Sequence, residues 1–405
     1  MPKPKLLYLG FAFPPGVAGH FPELQPAGHV IETALIDSVR SRFDVRSVGI
    51  SELRLDRLNL PPDGSPGLPH ALNLLDRPPE LFHRLCSLAR LKKNYLGWVR
   101  AGWRPDVMVV CNFGPVYNAF VRWLKRGRLA PPLVLYVADS MGLGQKTPWL
   151  KQLRHRFKPL VYAEERMVGC YDACVSVSRT TEQFITPHGL PWLWLPNGCD
   201  SRRALPPGTE TPGPLSFGYF GSLAPHTGLP ALLKIVLARN GRIQLRICGF
   251  GRQRGELEES CRGHAEISFA GPLTPYECLR FAQSCDVLVN PRPLCRGNDN
   301  NFSSKVFEYA LTGRPILTSR VSGVDVILGT EAFYFDENDF DRTLDAALTE
   351  IAGLPREELR RRGAAIQRRM LTEYSWERQG GRFADFLEET IRRSQNIRGP
   401  AVVNC

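Results

Sequence analysis

Short, unbroken apolar runs alternate along this chain with longer stretches whose apolar residues recur every three or four positions. Lys5 to Phe11 reads as a first strand, ended by Phe13-Pro14-Pro15-Gly16 and a loop through Gly19 and Gly28. Val30, Ile31, Ala34, Leu35 and Val39 then fall at helical spacing, which predicts a helix over His29 to Arg40. Phe43–Val48, Asp106–Cys111, Leu133–Ala138, Asp172–Ser178 and Trp192–Leu195 repeat the strand signature, with helices predicted between Pro79 and Val99. Leu58–Leu68, rich in Pro and Gly, reads as irregular. Runs that are apolar at every position, with helices between them, predict a mostly parallel sheet covered on both faces.

The pattern breaks at residues 201–214, which contain Arg-Arg-Ala-Leu-Pro-Pro-Gly-Thr-Glu-Thr-Pro-Gly-Pro and read as a linker. It then restarts. Strands are predicted over Leu215–Phe220, Ile243–Cys248, Ile267–Ala270, Asp286–Asn290, Pro315–Ser319 and Phe333–Phe335. Helices are predicted over Gly228–Arg239, Pro275–Gln283, Lys305–Thr312, Asn338–Ala352, Arg356–Glu373 and Trp376–Ile391. The class is therefore α/β, with two Rossmann-like α/β/α domains in series and a central cleft expected between them, where such folds bind ligands.

Length and composition agree. A chain of 405 residues, 43% apolar and 23% charged, has material for two cores. No secretory signal is legible at the start, and no stretch approaches the roughly 20 apolar residues of a membrane span. The 11 cysteines are scattered, odd in number and partly inside strand-like runs, which points to reduced thiols and a cytoplasmic location. Cys170-x-x-x-Cys174 lacks a second pair, so no metal site is expected.

The formal charge of +12 is concentrated. Residues 84–158 hold fifteen Lys or Arg against Asp106 and Asp139, which leaves the rest of the chain close to neutral. Within that region Arg90, Lys92, Lys93, Arg100 and Arg104 interleave with Leu91, Tyr95, Trp98 and Trp103. Such a pattern suits the surface of an anionic membrane, and it also suits long side chains packed on a domain surface. Nucleic acid would attract the same charge, but no helix-turn-helix, finger spacing or paired aromatic strand motif accompanies it.

The densest chemistry lies at residues 298–316, Asn-Asp-Asn-Asn-Phe-Ser-Ser-Lys-Val-Phe-Glu-Tyr-Ala-Leu-Thr-Gly-Arg-Pro-Ile. Ser303 and Ser304 read as caps of a helix whose first turn, with Lys305, would favour a diphosphate. Glu308 falls one turn inside, where a carboxylate can accept hydrogen bonds from a pair of ribose hydroxyls. Two glycine-rich loops follow strands of the same half. Gly221 and Ser222 stand in the first, ahead of His226, Thr227 and Gly228. Gly249, Gly251, Arg252 and Arg254 stand in the second, whose G-x-G-x-x-x-G spacing is one residue too long for a dinucleotide fingerprint. In the first half Asp139, at a strand end, is a candidate to orient or deprotonate an acceptor hydroxyl, or simply to cap a helix. His20, Asn112, Glu164, Glu165 and Asn197 are weaker candidates.

The order Phe-Ser-Ser-Lys-x-Phe-Glu-Tyr-x-x-x-Gly-x-Pro-Ile resembles the donor-binding signature of the retaining glycosyltransferases of family 4, which have the GT-B architecture. The chain also ends as that family does, with Tyr374-Ser375-Trp376 before a last helix. The resemblance implies an acceptor domain over 1–200, completed by residues 377–405, and a donor domain over 215–376. It implies a nucleotide-diphosphate sugar as donor and a glycan, lipid-linked or small-molecule hydroxyl as acceptor. It implies no tightly bound cofactor and no metal. Lys305, Arg254 and Asp139 are the implied catalytic set. Gly221, Ser222, Gly249, Gly251, Arg252, Asn300, Phe302, Ser303, Ser304 and Glu308 are the implied donor contacts. Bacterial cell-surface polysaccharide synthesis, at the inner face of the membrane, is the implied setting. One departure stands out: the family has two glutamates eight positions apart, and here the first is Asn300, with Asp299 beside it. Relatives also place a basic residue and a lysine in the first loop, where this chain has Ser222, His226 and Thr227. A relative that binds nucleotide sugar without transferring it is the alternative reading.

Overall fold

A computed structural model describes residues 2–10, 26–49, 80–138, 167–206, 208, 213–239, 241–271, 273–295, 298 and 302–398. The chain divides into two units, Met1–Leu195 with Gln379–Cys405, and Pro196–Arg378.

In the first unit β1 (Lys5–Gly10), β2 (Asp44–Gly49), β3 (Val107–Cys111), β4 (Leu133–Val137), β5 (Ala173–Ser176) and β6 (Trp192–Trp194) form one sheet ordered β2-β1-β3-β4-β5-β6. Every pairing is parallel. Strands β3, β4 and β5 are buried at each position, which is why their sequences show no alternation. Helices α1 (Pro26–Val39), α2 (Glu80–Arg100), α3 (Pro115–Arg126) and the single turn α4 (Glu182–Ile185) accompany them. The strand pattern alone left α3 unassigned. Pro115 starts it after an extended Gly114, and Val116, Tyr117, Phe120, Val121 and Leu124 form its buried stripe.

The aromatic residues of the basic region prove to be packing residues. Tyr95 is buried, with edge contacts to Phe120 and Trp123 at 5.7 and 6.3 Å. Trp98 meets Trp103 edge-on at 5.9 Å, and Arg46 lies over both rings. Lys92 covers Trp123 at 5.2 Å. These rings therefore pack within the first unit, with Trp98 and Trp123 half-buried. Arg90, Lys93, Arg100, Arg104, Arg126 and Arg128 remain exposed as a basic face of α2, α3 and their flanking turns. Residues 139–158 of the same region lie outside the described residues. Among the described residues, no helix is long and apolar enough to cross a membrane.

The second unit repeats the plan with β7 (Ser216–Ser222), β8 (Gln244–Phe250), β9 (Ile267–Ala270), β10 (Val287–Asn290), β11 (Ile316–Thr318) and β12 (Phe333–Tyr334). The order is β12-β11-β10-β7-β8-β9, again parallel throughout. Its helices are α5 (Leu229–Leu237), α6 (Arg254–Ser260), α7 (Pro275–Gln283), α8 (Lys305–Ala310), α9 (Val324–Leu328), α10 (Phe340–Ala352) and α11 (Arg356–Glu373). Leu232, Val236, Leu245, Ile247, Val289, Leu344 and Leu348 are among its fully buried core.

Residues 205 and 206, at the start of the segment expected as a linker, hydrogen-bond within this second unit. Leu205 N–H donates to the Leu311 carbonyl at 2.9 Å, and Gln367 Nε2 donates to the Leu205 carbonyl at 2.9 Å. Gln283 Nε2 holds the Pro206 carbonyl at 2.6 Å. Pro and Gly exclude regular structure, but they leave backbone groups able to pack by irregular hydrogen bonds.

Helix α12 (Trp376–Arg398) enters the first unit at Gln379. A Cβ on Gly380 would lie 2.3 Å from Ser38 Oγ, so the bare backbone lets α12 press against α1. Arg42 pairs with Asp385 and Glu388, and Phe383 is buried beside Tyr136.

Candidate donor site

The second sheet changes direction at β7, with β8 and β9 on one side and β10, β11 and β12 on the other. Loops after β7 and β10 therefore diverge at the carboxyl edge, the place where open α/β sheets take ligands. Two glycines set the geometry there. Gly221 is in register with Gly249, and a Cβ on Gly249 would fall 1.9 Å from the Gly221 carbonyl oxygen. Gly228 has φ +74°, and a Cβ there would fall 1.6 Å from the Pro291 carbonyl oxygen. No other residue type permits this second contact, which joins the β7 loop to the β10 loop. Asn298 fastens the junction, its Nδ2 donating to the His226 and Pro293 carbonyls at 2.9 and 3.0 Å.

Helix α8 is pinned across the same edge. The Tyr309 hydroxyl accepts from Phe220 N–H and donates to the Phe220 carbonyl, both at 3.1 Å. Lys305, one turn earlier, reaches back over β7. Its Nζ donates to Tyr219 Oη at 2.9 Å, lies 4.4 Å from that ring's centroid and would sit 3.0 Å from a Cβ on Gly221. Tyr219 Oη in turn donates to the Ser222 carbonyl at 2.6 Å. Among the described residues Lys305 makes no ion pair. Arg292, directly after β10, and Lys305 both act on His226. Burial first, then the charges of Arg292 and Lys305, push the His226 imidazole below its usual range. The charges of Lys305 and Arg292 thus act, with burial, against the charged form of His226.

Glu308, half-buried on α8, accepts from Arg203 Nη1 at 3.1 Å, and Arg203 Nη2 donates to the Pro275 carbonyl at 3.4 Å. Arg254 is held by its neighbours: Nε and Nη2 bond Glu258 Oε1 at 2.8 Å, and Nη1 bonds the Gly249 carbonyl at 3.1 Å. Arg252 and Gly251 are exposed.

Residues 214–352 match the family described as "Glycosyl transferases group 1". The matched residues lie within the second unit. The comparison with curated proteins finds no match. Among solved structures, the chain is similar to HepE of Anabaena in complex with UDP, with 13% identity and TM-score 0.64. That match covers 95% of this chain and 100% of that one. Sucrose-phosphate synthase from Thermosynechococcus elongatus gives 14% identity, TM-score 0.69 and coverage of 96% and 100%. The lipopolysaccharide outer core galactosyltransferase WaaB gives 13%, 0.63, and 96% and 100%. These likenesses show that the fold is GT-B.

Within the second unit, Gly221, Ser222, Gly249, Gly251, Arg252, Arg254, Lys305 and Glu308 lie along the edges of β7, β8 and α8. The paired serines behave differently from expectation. Ser304 stands at the helix start without a side-chain cap, and its backbone is already helical. Ser303 is buried, its Oγ donating to Asn290 Oδ1 at 3.3 Å. Phe302 is 5% exposed and packs against Phe307 at 5.6 Å, a core contact. Asn112, with φ 57°, accepts from Ala138 N–H at 2.9 Å through Oδ1 and so joins the ends of β3 and β4. Asp139, Asn300, Asp299, His20, Glu164 and Glu165 lie outside the described residues. Sequence reasoning missed Arg292, Arg203 and Tyr219. A cation between two prolines directly after a strand was a readable signal for Arg292; Arg203 was hidden inside the supposed linker.

Proposed function

We propose that the chain transfers a sugar, with retention, from a nucleotide-diphosphate sugar to a hydroxyl of a glycan, lipid-linked or small-molecule acceptor. The observation that carries this reading is the convergence of Lys305, Arg292 and His226 at the switch point of the second sheet. Positive charge gathered without a carboxylate on Lys305 suits a diphosphate, whose oxygens would satisfy Lys305 Nζ and recharge His226. Helix α8 has six residues, so these side chains, more than the helix end, carry the anion site. Gly221, Ser222, Gly249 and Gly251 let the donor approach bare backbone, and Arg254 braces the Gly249 loop. Arg252, exposed on the same loop, is a further phosphate contact in this reading.

Glu308, with one oxygen on Arg203, offers its other oxygen to the ribose hydroxyls. During transfer, negative charge grows on the leaving phosphate, and Lys305 with Arg292 stabilises it in place of a metal ion. Asn300 contributes to the sugar's hydroxyls as a neutral amide, and Asp139 in the first unit orients the acceptor hydroxyl.

HepE is named in complex with UDP and with UDP-glucose, and WaaB is named a lipopolysaccharide galactosyltransferase. The first name supports a uridine donor, and the second supports a cell-surface glycan product. The exposed basic face of the first unit supports a peripheral place on an anionic membrane. A screen of UDP-, GDP-, ADP- and dTDP-sugars, scoring binding, donor hydrolysis and transfer, tests the reading. Binding of one class with slow hydrolysis is the expected result; no binding of any sugar nucleotide would sink it. Binding with neither hydrolysis nor transfer would select the non-catalytic alternative, for which the loss of a carboxylate at Asn300 speaks.

A further inference from the structure

Two cysteines lie directly behind the loops just described. Cys248, buried near the end of β8, immediately precedes Gly249; Cys278, half-exposed, sits in the first half of α7. Their Sγ atoms are 4.0 Å apart. Cys248 also approaches the Gly271 carbonyl and Cys278 the Leu273 carbonyl, each at 3.7 Å. A disulfide holds its sulfurs at about 2.05 Å, so closure asks for an approach of about 2 Å. Rotation at Cys278, with a small displacement of the α7 turn, brings that within range.

The two thiols are not equivalent. A hydrogen bond from Cys278 lowers Cys248, and the nearby Arg254 charge lowers it further, against the opposing effect of burial. Cys278 is pushed up by the same hydrogen bond, by burial and by the Cys248, Glu308 and Glu277 charges. One member is therefore the better nucleophile, and the other keeps its proton.

We propose that Cys248 and Cys278 form a reversible disulfide when the protein meets a peroxide, and that closing it weakens nucleotide binding at the adjoining loops. The Cys248 thiolate attacks one oxygen of hydrogen peroxide, forming an S–O bond and breaking O–O. The departing hydroxide takes up the proton released by Cys248 and leaves as water. Cys278 sulfur then displaces hydroxide from the resulting sulfenic acid, forming S–S and breaking S–O, and its own proton completes the second water. Both sulfurs are oxidised, and both peroxide oxygens are reduced.

Coupling to the nucleotide follows from what each cysteine adjoins. Cys248 precedes the Gly249 loop that Arg254 braces. Cys278 lies on α7, whose Pro275 carbonyl receives Arg203, the partner of Glu308. Drawing α7 towards β8 displaces both. The disulfide stands without the donor-site reading; its effect on nucleotide rests on that reading.

The full chain, reduced and then treated with dilute hydrogen peroxide, is blocked with N-ethylmaleimide, digested without reductant and examined by mass spectrometry. A peptide linking Cys248 to Cys278 is expected, lost on adding dithiothreitol and absent from C278S but retained in C261S. Sulfinic acid on these residues without a linked peptide, or two free thiols, would overturn the disulfide. UDP affinity is measured on both forms by calorimetry. At least a roughly fivefold weakening on oxidation is expected, the lower end of ordinary coupling between sites, with no change in C278S. Equal affinities overturn the coupling. A linked peptide in a protein that binds no UDP even when reduced would leave the disulfide standing and bring down the donor-site reading, with the coupling.

Discussion

Replacing Lys305 by Met keeps most of the side-chain stem and removes the ammonium alone. In the free protein that ammonium has Tyr219 Oη and the Tyr219 ring as neighbours, with Arg292 and Lys305 both acting on His226. The hydrogen bond to Tyr219 contributes about 1 kcal/mol. Its loss is offset by easing like-charge repulsion, and Tyr219 Oη keeps the Ser222 carbonyl. Stability should therefore change by no more than about 1 kcal/mol. Binding behaves differently. A hydrogen bond to a charged group contributes about 1.5–3 kcal/mol net. Bare attraction between unit charges at about 4 Å and an effective dielectric near 20 gives about 4 kcal/mol before desolvation. The net range corresponds to a Kd raised about 10- to 150-fold. Turnover should fall further, by about 100- to 1,000-fold, because charge on the leaving phosphate grows as the bond breaks. Calorimetric titration with UDP-glucose gives Kd, donor hydrolysis gives turnover, and a thermal melt reports stability. K305M with unchanged Kd and turnover would refute the phosphate role. K305M that loses binding only because it unfolds would show that Lys305 is a structural residue.

E308Q should raise Kd for UDP about tenfold, the loss of a charged acceptor, and should abolish the preference of the wild type for UDP over its 2′-deoxy analogue; an unchanged preference places the ribose elsewhere. G249A puts a methyl 1.9 Å from the Gly221 carbonyl oxygen, so the strands must separate. It should lose about 1–3 kcal/mol in urea denaturation, and full stability would show that the loop shifts freely. His226 is held low by burial and by two cations, and a bound diphosphate reverses the electrostatic part. Its pKa therefore rises on binding, and UDP-glucose affinity should increase as pH falls from the bound to the free value, then level off. H226Q should flatten that dependence, and an identical pH profile in the variant would assign the proton uptake to another group.

Most of the fold was legible because both sheets are parallel and covered. Val-Met-Val-Val-Cys over 107–111 and Leu-Val-Leu-Tyr-Val over 133–137 are buried at every position, and continuous apolarity records that. Helices that pack weakly on their own periodicity were harder to see. Helix α6, seven residues with Leu257 as its one buried side chain, carries no stripe to read. The contacts of residues 205 and 206 were hidden for a related reason. Local composition reports whether backbone dihedrals are regular, whereas Gln367 and Leu311 capture residue 205 from more than 100 residues away in sequence.

The candidate site shows the same division between local chemistry and assembly. Lys305, Glu308 and the glycines lie in short runs whose chemistry can be named from the sequence, although their partners cannot. Ser303 looked like a cap, yet the neighbouring strand offers Asn290 Oδ1, and a buried hydroxyl takes that acceptor in place of its own helix. Arg292 carries no motif. It matters because β10 returns to the opposite side of β7 from β8, which sets the residue after β10 against the loop after β7. A cation there lies on the same side of the sheet as Lys305, and both charges act on His226. On the proposed reading, the strand order of the second sheet is what brings three basic residues, far apart in sequence, to one diphosphate.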